Sequence, residues 1–210
     1  MKIAIIGAAA GIGLEAVIQG LIRGHYISAL STRTEAIPIH PRLKKVKGSA
    51  TSVADLISAI RDTDAVLVTV GTKKKKGTTL FSEIAAALIQ ATEALDYKKP
   101  VIIITGFGAG DSKPYLNLFL RTVIRLFLKD QYADKTRMEE LIIASKMTWE
   151  IVRPTMLTNG PLHQQHYTVV NQLADNMKRT KVSRANVAYY LLEEAEYQRH
   201  LGTCVTITGA

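Results

Sequence analysis

The sequence is poor in cysteine, aromatic residues and acids, and it lacks any long apolar run. Cys204 is the only cysteine, which excludes an internal disulfide and any cysteine-rich metal site, so no metal is expected. A reducing, cytoplasmic setting is then the default expectation. No apolar run approaches the roughly 20 residues that span a bilayer, so no membrane partner is expected. The opening Met1–Gly7 is too short for a signal peptide and reads as a strand. There is no internal repeat and no Pro/Gly/Ser-rich linker, so the 210 residues are read as one domain, 1–210. Hydrophobic residues at 47% and charged residues at 21% exclude disorder, collagen and coiled coil. Only 18 acids face 27 Lys and Arg, a net charge of +9, which points to anionic partners: nucleic acid, lipid headgroups or a phosphorylated small molecule. Single-stranded nucleic acid calls for aromatics among the basic residues. Aromatics are 6% and none interrupts Lys73–Lys76, which argues against nucleic acid.

What is present is an alternation of short β-branched runs with longer helical patterns. Lys2–Ile6, Tyr26–Leu30, Lys44–Lys47, Ala65–Val70, Val101–Thr105 and Thr148–Val152 read as strands, and Thr203–Thr208 as a last one. Several are apolar throughout, as parallel strands covered on both faces are. Helical patterns lie near 11–23, 53–61, 79–96, 131–146 and 184–197. In 11–23 the residues Ile12, Leu14, Val17, Ile18, Leu21 and Ile22 recur at helical spacing. Regular alternation of this kind predicts an α/β fold, a single Rossmann-like doubly wound parallel sheet with helices on both faces. Substrate-side loops are expected mainly from 106–130 and 155–182.

The first strand runs directly into Gly7-Ala8-Ala9-Ala10-Gly11-Ile12-Gly13 and then a helix. Gly7 permits the turn, Gly11 lets the backbone approach a pyrophosphate, and Gly13 allows close packing of helix on strand. The helix start offers free N–H groups and the positive end of a dipole. The spacing is G-x-x-x-G-x-G, so a dinucleotide is expected here. At the end of strand two, where an acid would bind the ribose of NAD, the chain has Ser31-Thr32-Arg33. Arg33 can grip a 2′-phosphate bidentately with Ser31 and Thr32 as donors, which selects NADP(H).

The glycine loop in this setting resembles the short-chain dehydrogenase/reductase superfamily. Gly48-Ser49-Ala50, Asp64 through Thr72, Thr105 through Ser112, Asp134-Lys135-x-x-x-Glu139 and Thr148 through Pro154 narrow the resemblance. Together they resemble its atypical branch, the NmrA-like and biliverdin reductase B (flavin reductase) group, over nearly the whole chain. The resemblance implies that Gly7, Ala9, Ala10, Gly11, Ile12 and Gly13 cradle the pyrophosphate. It places Ser49, Ala50, Val70, Gly71 and Thr72 on the adenosine side. Thr105, Gly106 and Phe107 would reach the nicotinamide half, with Pro154, Thr155 and Met156 at its edge. Three departures stand out: Gly48-Ser49 replaces the usual Gly-Asp, Gly106 stands where flavin-reductase relatives carry a serine, and no Tyr-x-x-x-Lys occurs. The candidate catalytic side chains are Lys135, Thr105 and Tyr132. Lys135 is read either as an acid or cofactor ligand, or as a surface lysine paired with Glu139.

The implied function is reduction of a small-molecule acceptor, aromatic or anionic, such as a flavin or quinone, by an NADPH-dependent protein acting as monomer or homodimer. The alternatives are a non-catalytic dinucleotide-sensing regulator of the NmrA-like kind and, less favoured in so short a chain, a sugar-nucleotide epimerase or dehydratase. Lys73–Lys76 is either solvated or draws phosphates to the strand-four edge. His163 and His166, beside Gln164 and Gln165, have no acid next to them and read as a substrate-side loop. The apolar stretch Tyr115–Leu128 is read as a lid, an oligomer surface or core.

Overall fold

The computed structural model describes every residue except 164, 165, 175, 176 and 178. Gln164 and Gln165 therefore lie outside the described residues, as does part of the 155–182 segment. Strands β1 (Lys2–Ile6), β2 (Tyr26–Ser31), β3 (Leu43–Lys47), β4 (Ala65–Val68), β5 (Val101–Ile104) and β6 (Trp149–Pro154) are joined in chain order. The short β7 (Leu157–Thr158), β8 (Tyr167–Val170), β9 (Val182–Ser183) and the terminal β10 (Cys204–Gly209) complete the set. Eight of them form one sheet in the order β3-β2-β1-β4-β5-β6-β10-β8, while β7 pairs with β9. All neighbours in the large sheet are parallel except β8, which runs antiparallel along β10. The fold is the expected doubly wound α/β sheet. Its strand order reverses between β1 and β4, and ligands of such sheets bind in the crevice beyond the strand ends at that reversal.

Helices cover both faces because the central strands are apolar on both. On one side α1 (Gly11–Ile22) and α6 (Arg184–Tyr197) pack over Ile3, Ile5, Ile102 and Val205. On the other, α2 (Val53–Ile60), α3 (Leu80–Ala94) and α5 (Lys129–Ile143) pack over Ile6, Val66, Ile103 and Ile151. Ser52 and Ser183 cap α2 and α6, accepting from Asp55 N and Asn186 N. Strand β4 stops at Val68 rather than Val70, because Thr69 turns to donate its hydroxyl to Ile6 O at 3.0 Å.

Both regions expected to carry substrate-side loops contain regular structure. Residues 106–130 are largely helical: a 3₁₀ turn over Gly110–Tyr115, then α4 (Leu118–Val123), then a π-helical turn over Ile124–Leu128 that runs into α5. Pro114 sits inside the 3₁₀ turn, and Asn117 caps α4 through Leu120 N. Within 155–182, β7 and β8 are strands; Tyr167–Val170 is too short and too mixed in pattern to announce itself as a strand.

Far from the crevice, at the opening end of β6, the Glu150 carboxyl is fully buried and accepts from Tyr190 Oη at 2.7 Å. Burial pushes its pKa up to about 8. A carboxyl whose folded pKa lies above its unfolded value stabilises the fold at acid pH, and that stability is lost as pH rises to the folded pKa. Melting temperature should therefore fall between about pH 4.5 and about pH 8, and Glu150→Gln should flatten that decline. An equally steep decline in the variant would show that Glu150 is ionised in the fold.

Candidate dinucleotide and acceptor site

The glycine loop meets its geometric requirements by interlock. Gly7 has φ +90° and a Cβ there would stand 2.9 Å from Val70 N. A Cβ on Gly13 would collide with the Gly7 carbonyl oxygen and the Thr69 hydroxyl. Gly11, at φ +55°, is different: its Cβ direction is open, with only the Arg184 side chain at 3.6 Å. The α1 start has neither a capping side chain nor an acid in its first turn, leaving its N–H groups available. These are the features an incoming diphosphate needs, so the residues fit the group.

Arg184 opens α6 and stretches across to the loop, its Nη1 donating to Asn159 Oδ1 at 2.7 Å. Neither residue is in any sequence motif; the tertiary fold alone brings α6 over Gly11. Thr69, not singled out as a site residue, fastens the end of β4 to the Ile6 and Gly7 carbonyls.

Thr32 and Arg33 are exposed beyond β2, and the Arg33 N–H donates to Ser31 Oγ at 3.3 Å. Ser49 donates its N–H to Asp55 Oδ2 at 2.8 Å and shares a hydrogen bond with Thr51, so this loop is held by α2's own acid. Ala50 is half-buried, Val70 abuts Gly7, and Gly71 has an open Cβ direction. Thr72 accepts through its carbonyl from Gln131 Nε2, and its hydroxyl accepts from Lys74 N.

At the far end, Lys135 and Tyr132 of α5 converge over Gly106. A Cβ on Gly106 would lie 3.2 Å from Lys135 Nζ and 3.5 Å from Tyr132 Oη. The absence of a side chain at Gly106 thus makes room for the lysine. Lys135 Nζ donates to Thr105 O at 2.7 Å and lies 5.2 Å above the Phe81 ring and 5.1 Å from that of Tyr132. Burial lowers the ammonium pKa to about 8, Glu139 opposing, and burial raises that of the Tyr132 phenol. The surface Lys135–Glu139 pair anticipated from spacing is absent. Glu139 instead accepts from Thr105 Oγ1 at 2.6 Å and takes Arg153 bidentately at 3.0 and 2.7 Å, with Asp111 on the other side of the guanidinium. The Thr105 hydroxyl is thereby committed to Glu139. It is buried. Phe107 and Pro154 are buried and joined by Phe107 N to Pro154 O at 3.0 Å. The Thr155 hydroxyl donates to Thr180 O, and Met156 is exposed.

Beyond Tyr132 opens a cavity of about 550 Å³, bounded by Gly108, Leu116 and Ile124 and by the cations Lys113, Arg121 and Arg125. His163 and His166 stand apart from it: His163 N donates to Asn186 Oδ1, and His166 O accepts from Asn186 Nδ2. Among the described residues, the one grouping of acids and histidine with metal-ligand spacing is Glu150, Glu194 and His200, outside the crevice.

The sequence from residue 7 to 197 matches the NAD(P)H-binding family, and the chain belongs to that family. Within it, the fold is that of NAD(P)-binding oxidoreductases. A short-chain dehydrogenase/reductase of Veillonella parvula, solved with NADP, is 18% identical with a TM-score of 0.83, covering 99% of this chain and 94% of its own. The anaerobillin reductase ChuY of Escherichia coli is 19% identical with a TM-score of 0.81, covering 99% and 97%. A Streptococcus pneumoniae protein proposed to be an NADH-flavin reductase is 18% identical with a TM-score of 0.79, covering 100% of both chains. No curated protein matches the chain significantly. No helix among the described residues is long and apolar enough to cross a membrane.

Proposed function

We propose that the protein is an NADPH-dependent reductase of a conjugated small-molecule acceptor such as a flavin or quinone. The observation that carries this reading is the convergence of Lys135 Nζ and Tyr132 Oη over Gly106, beside a cavity large enough for such a molecule. NADP bound in a neighbour of the same fold, and the reductases among those neighbours, support it. The α1 N–H groups with Gly7, Gly11 and Gly13 hold the diphosphate, and Arg184 closes over it from α6. Arg33, with Ser31 and Thr32, takes the 2′-phosphate, while Ser49, Ala50, Val70, Gly71 and Thr72 border the adenosine. Gly106, Phe107, Pro154, Thr155 and Met156 border the nicotinamide end. The bound cofactor supplies hydride chemistry; the protein orients it against the acceptor. Lys135 holds a proton at Nζ and Tyr132 one at Oη, both placed to stabilise charge developing on the acceptor.

A screen of flavins and quinones should give steady NADPH oxidation with at least one. A broad screen with tight cofactor binding and no turnover would favour the regulator reading, for which the absent Tyr-x-x-x-Lys is the supporting feature. Lys135→Met should lower turnover about tenfold or more, some 1.4 kcal/mol. The sign of the pH effect follows from the protonated donor: wild-type turnover should fall as pH rises through about 8, and the variant should lose that limb. Turnover and pH profile unchanged in Lys135→Met would remove the lysine from the mechanism.

A further inference from the structure

The continuous helical stretch from Leu118 to Leu128 presents large apolar side chains that no described element covers. Leu118 is 80% exposed, Phe119 68%, Leu126 64% and Phe127 58%. This is an expensive surface to leave in water, and exposed apolar patches on soluble proteins mark contact sites. Cations surround it. Arg121, Arg125 and Lys129 recur every fourth residue along the same stretch, all exposed, and Lys113 stands beside them at the cavity.

The lysine run is fastened to the same edge. Gln131 Nε2 donates to Lys74 O at 2.7 Å, and Gly77 N donates to Asp130 Oδ2 at 2.7 Å, which pins 72–77 against the start of α5. Lys73 to Lys76 are exposed there. The nearby carboxylates are otherwise engaged: Asp130 accepts from Gly77, and Asp111 pairs with Arg153. The result is an amphipathic helix with bulky apolar residues flanked by basic ones, the pattern that lies in the plane of a membrane interface.

We infer that this face docks on an anionic lipid bilayer, with Leu118, Phe119, Leu126 and Phe127 entering the headgroup boundary and Lys73–Lys76, Arg121, Arg125 and Lys129 meeting lipid phosphates. Charge complementarity selects this occupant over a second copy of the chain. A two-fold dimer through this patch would bring its rim of cations up to the partner's rim of the same sign. The expectation of no membrane partner concerned a spanning run, and interfacial attachment needs none. The inference is independent of the hydride chemistry. It places the mouth of the cavity beside Tyr132 at the lipid surface, since Arg121 and Arg125 belong to both.

The test is sedimentation of the full-length protein with vesicles of phosphatidylcholine alone or mixed with phosphatidylglycerol, at low and high salt. Binding to the mixed vesicles and not to the neutral ones is expected, weakened by salt. The variant Leu118→Ser/Phe119→Ser/Leu126→Ser/Phe127→Ser keeps every charge and should bind the mixed vesicles roughly tenfold or more weakly, because its apolar insertion is gone. Should its melt show a damaged fold, the pair Phe119→Ser/Leu126→Ser carries the same comparison. No binding by the wild type overturns the inference. So does equal binding by the serine variant, which would reduce the effect to adhesion of a basic protein. A wild-type dimer in sedimentation velocity that the serine variant dissolves would also overturn it, assigning the face to a second copy.

Discussion

Replacing Gly11 by valine should abolish dinucleotide binding, with affinity falling by roughly 100-fold or more, about 3 kcal/mol. Two causes act together. At φ +55° a β-branched residue is strained by about 1–3 kcal/mol, a cost that falls on the loop itself. Its side chain also fills the one open direction in the cradle, where the nearest atoms belong to Arg184 at 3.6 Å. Gly11→Asn separates the causes, because asparagine tolerates the left-handed conformation while still placing a side chain there. Loss of binding in both variants, with the Gly11→Asn melt close to wild type, identifies occupation of the diphosphate's place. Calorimetry showing wild-type affinity in the valine variant would contradict the loop's assignment.

Cofactor preference should depend on Arg33. The 2′-phosphate carries up to two negative charges, and the guanidinium fork matches it where NAD-binding relatives of the fold keep an acid. Arg33 is exposed and, among the described residues, pairs with no acid, so its charge is available. A charge-assisted contact of this kind contributes roughly 1.5–3 kcal/mol, equivalent to about 10- to 100-fold in affinity. NADPH should therefore bind about tenfold or more tightly than NADH, and Arg33→Ala should erase most of that gap by weakening NADPH alone. Raising salt should narrow it as well. Equal wild-type affinities, or a loss in Arg33→Ala shared by NADH, would move the 2′-phosphate contact elsewhere.

The parts of this architecture that were legible in the chain are those governed by local pattern. Apolar runs such as Ala65-Val66-Leu67-Val68 and Val101–Ile104 are buried on both faces of the sheet, and a run of that kind has few other fates. The glycine loop was legible because its conformational demands are written in residues 7, 11 and 13. What was not legible depends on partners distant in sequence. Lys135 and Glu139 are spaced to pair on a helix surface, yet Arg153 and Thr105 claim the carboxylate and leave the lysine to a strand-end carbonyl. Arg184 reaches the loop only because α6 crosses beside α1. Strand β8 was hidden because an antiparallel edge strand, of which Thr168 is exposed, lacks the continuous apolar run of its parallel neighbours.

The interlock of Gly7, Gly13 and Val70 divides the labour of the molecule. Backbone packed against backbone at the switch point has its shape before any ligand arrives, so capture of the diphosphate requires little ordering and forfeits little entropy there. The cavity proposed for the acceptor is built otherwise, from side chains of the helical segments between Gly108 and Thr136, none of which supports the interlock. Substitutions that line the cavity should therefore leave the grip on the diphosphate intact, because none of them touches the interlock.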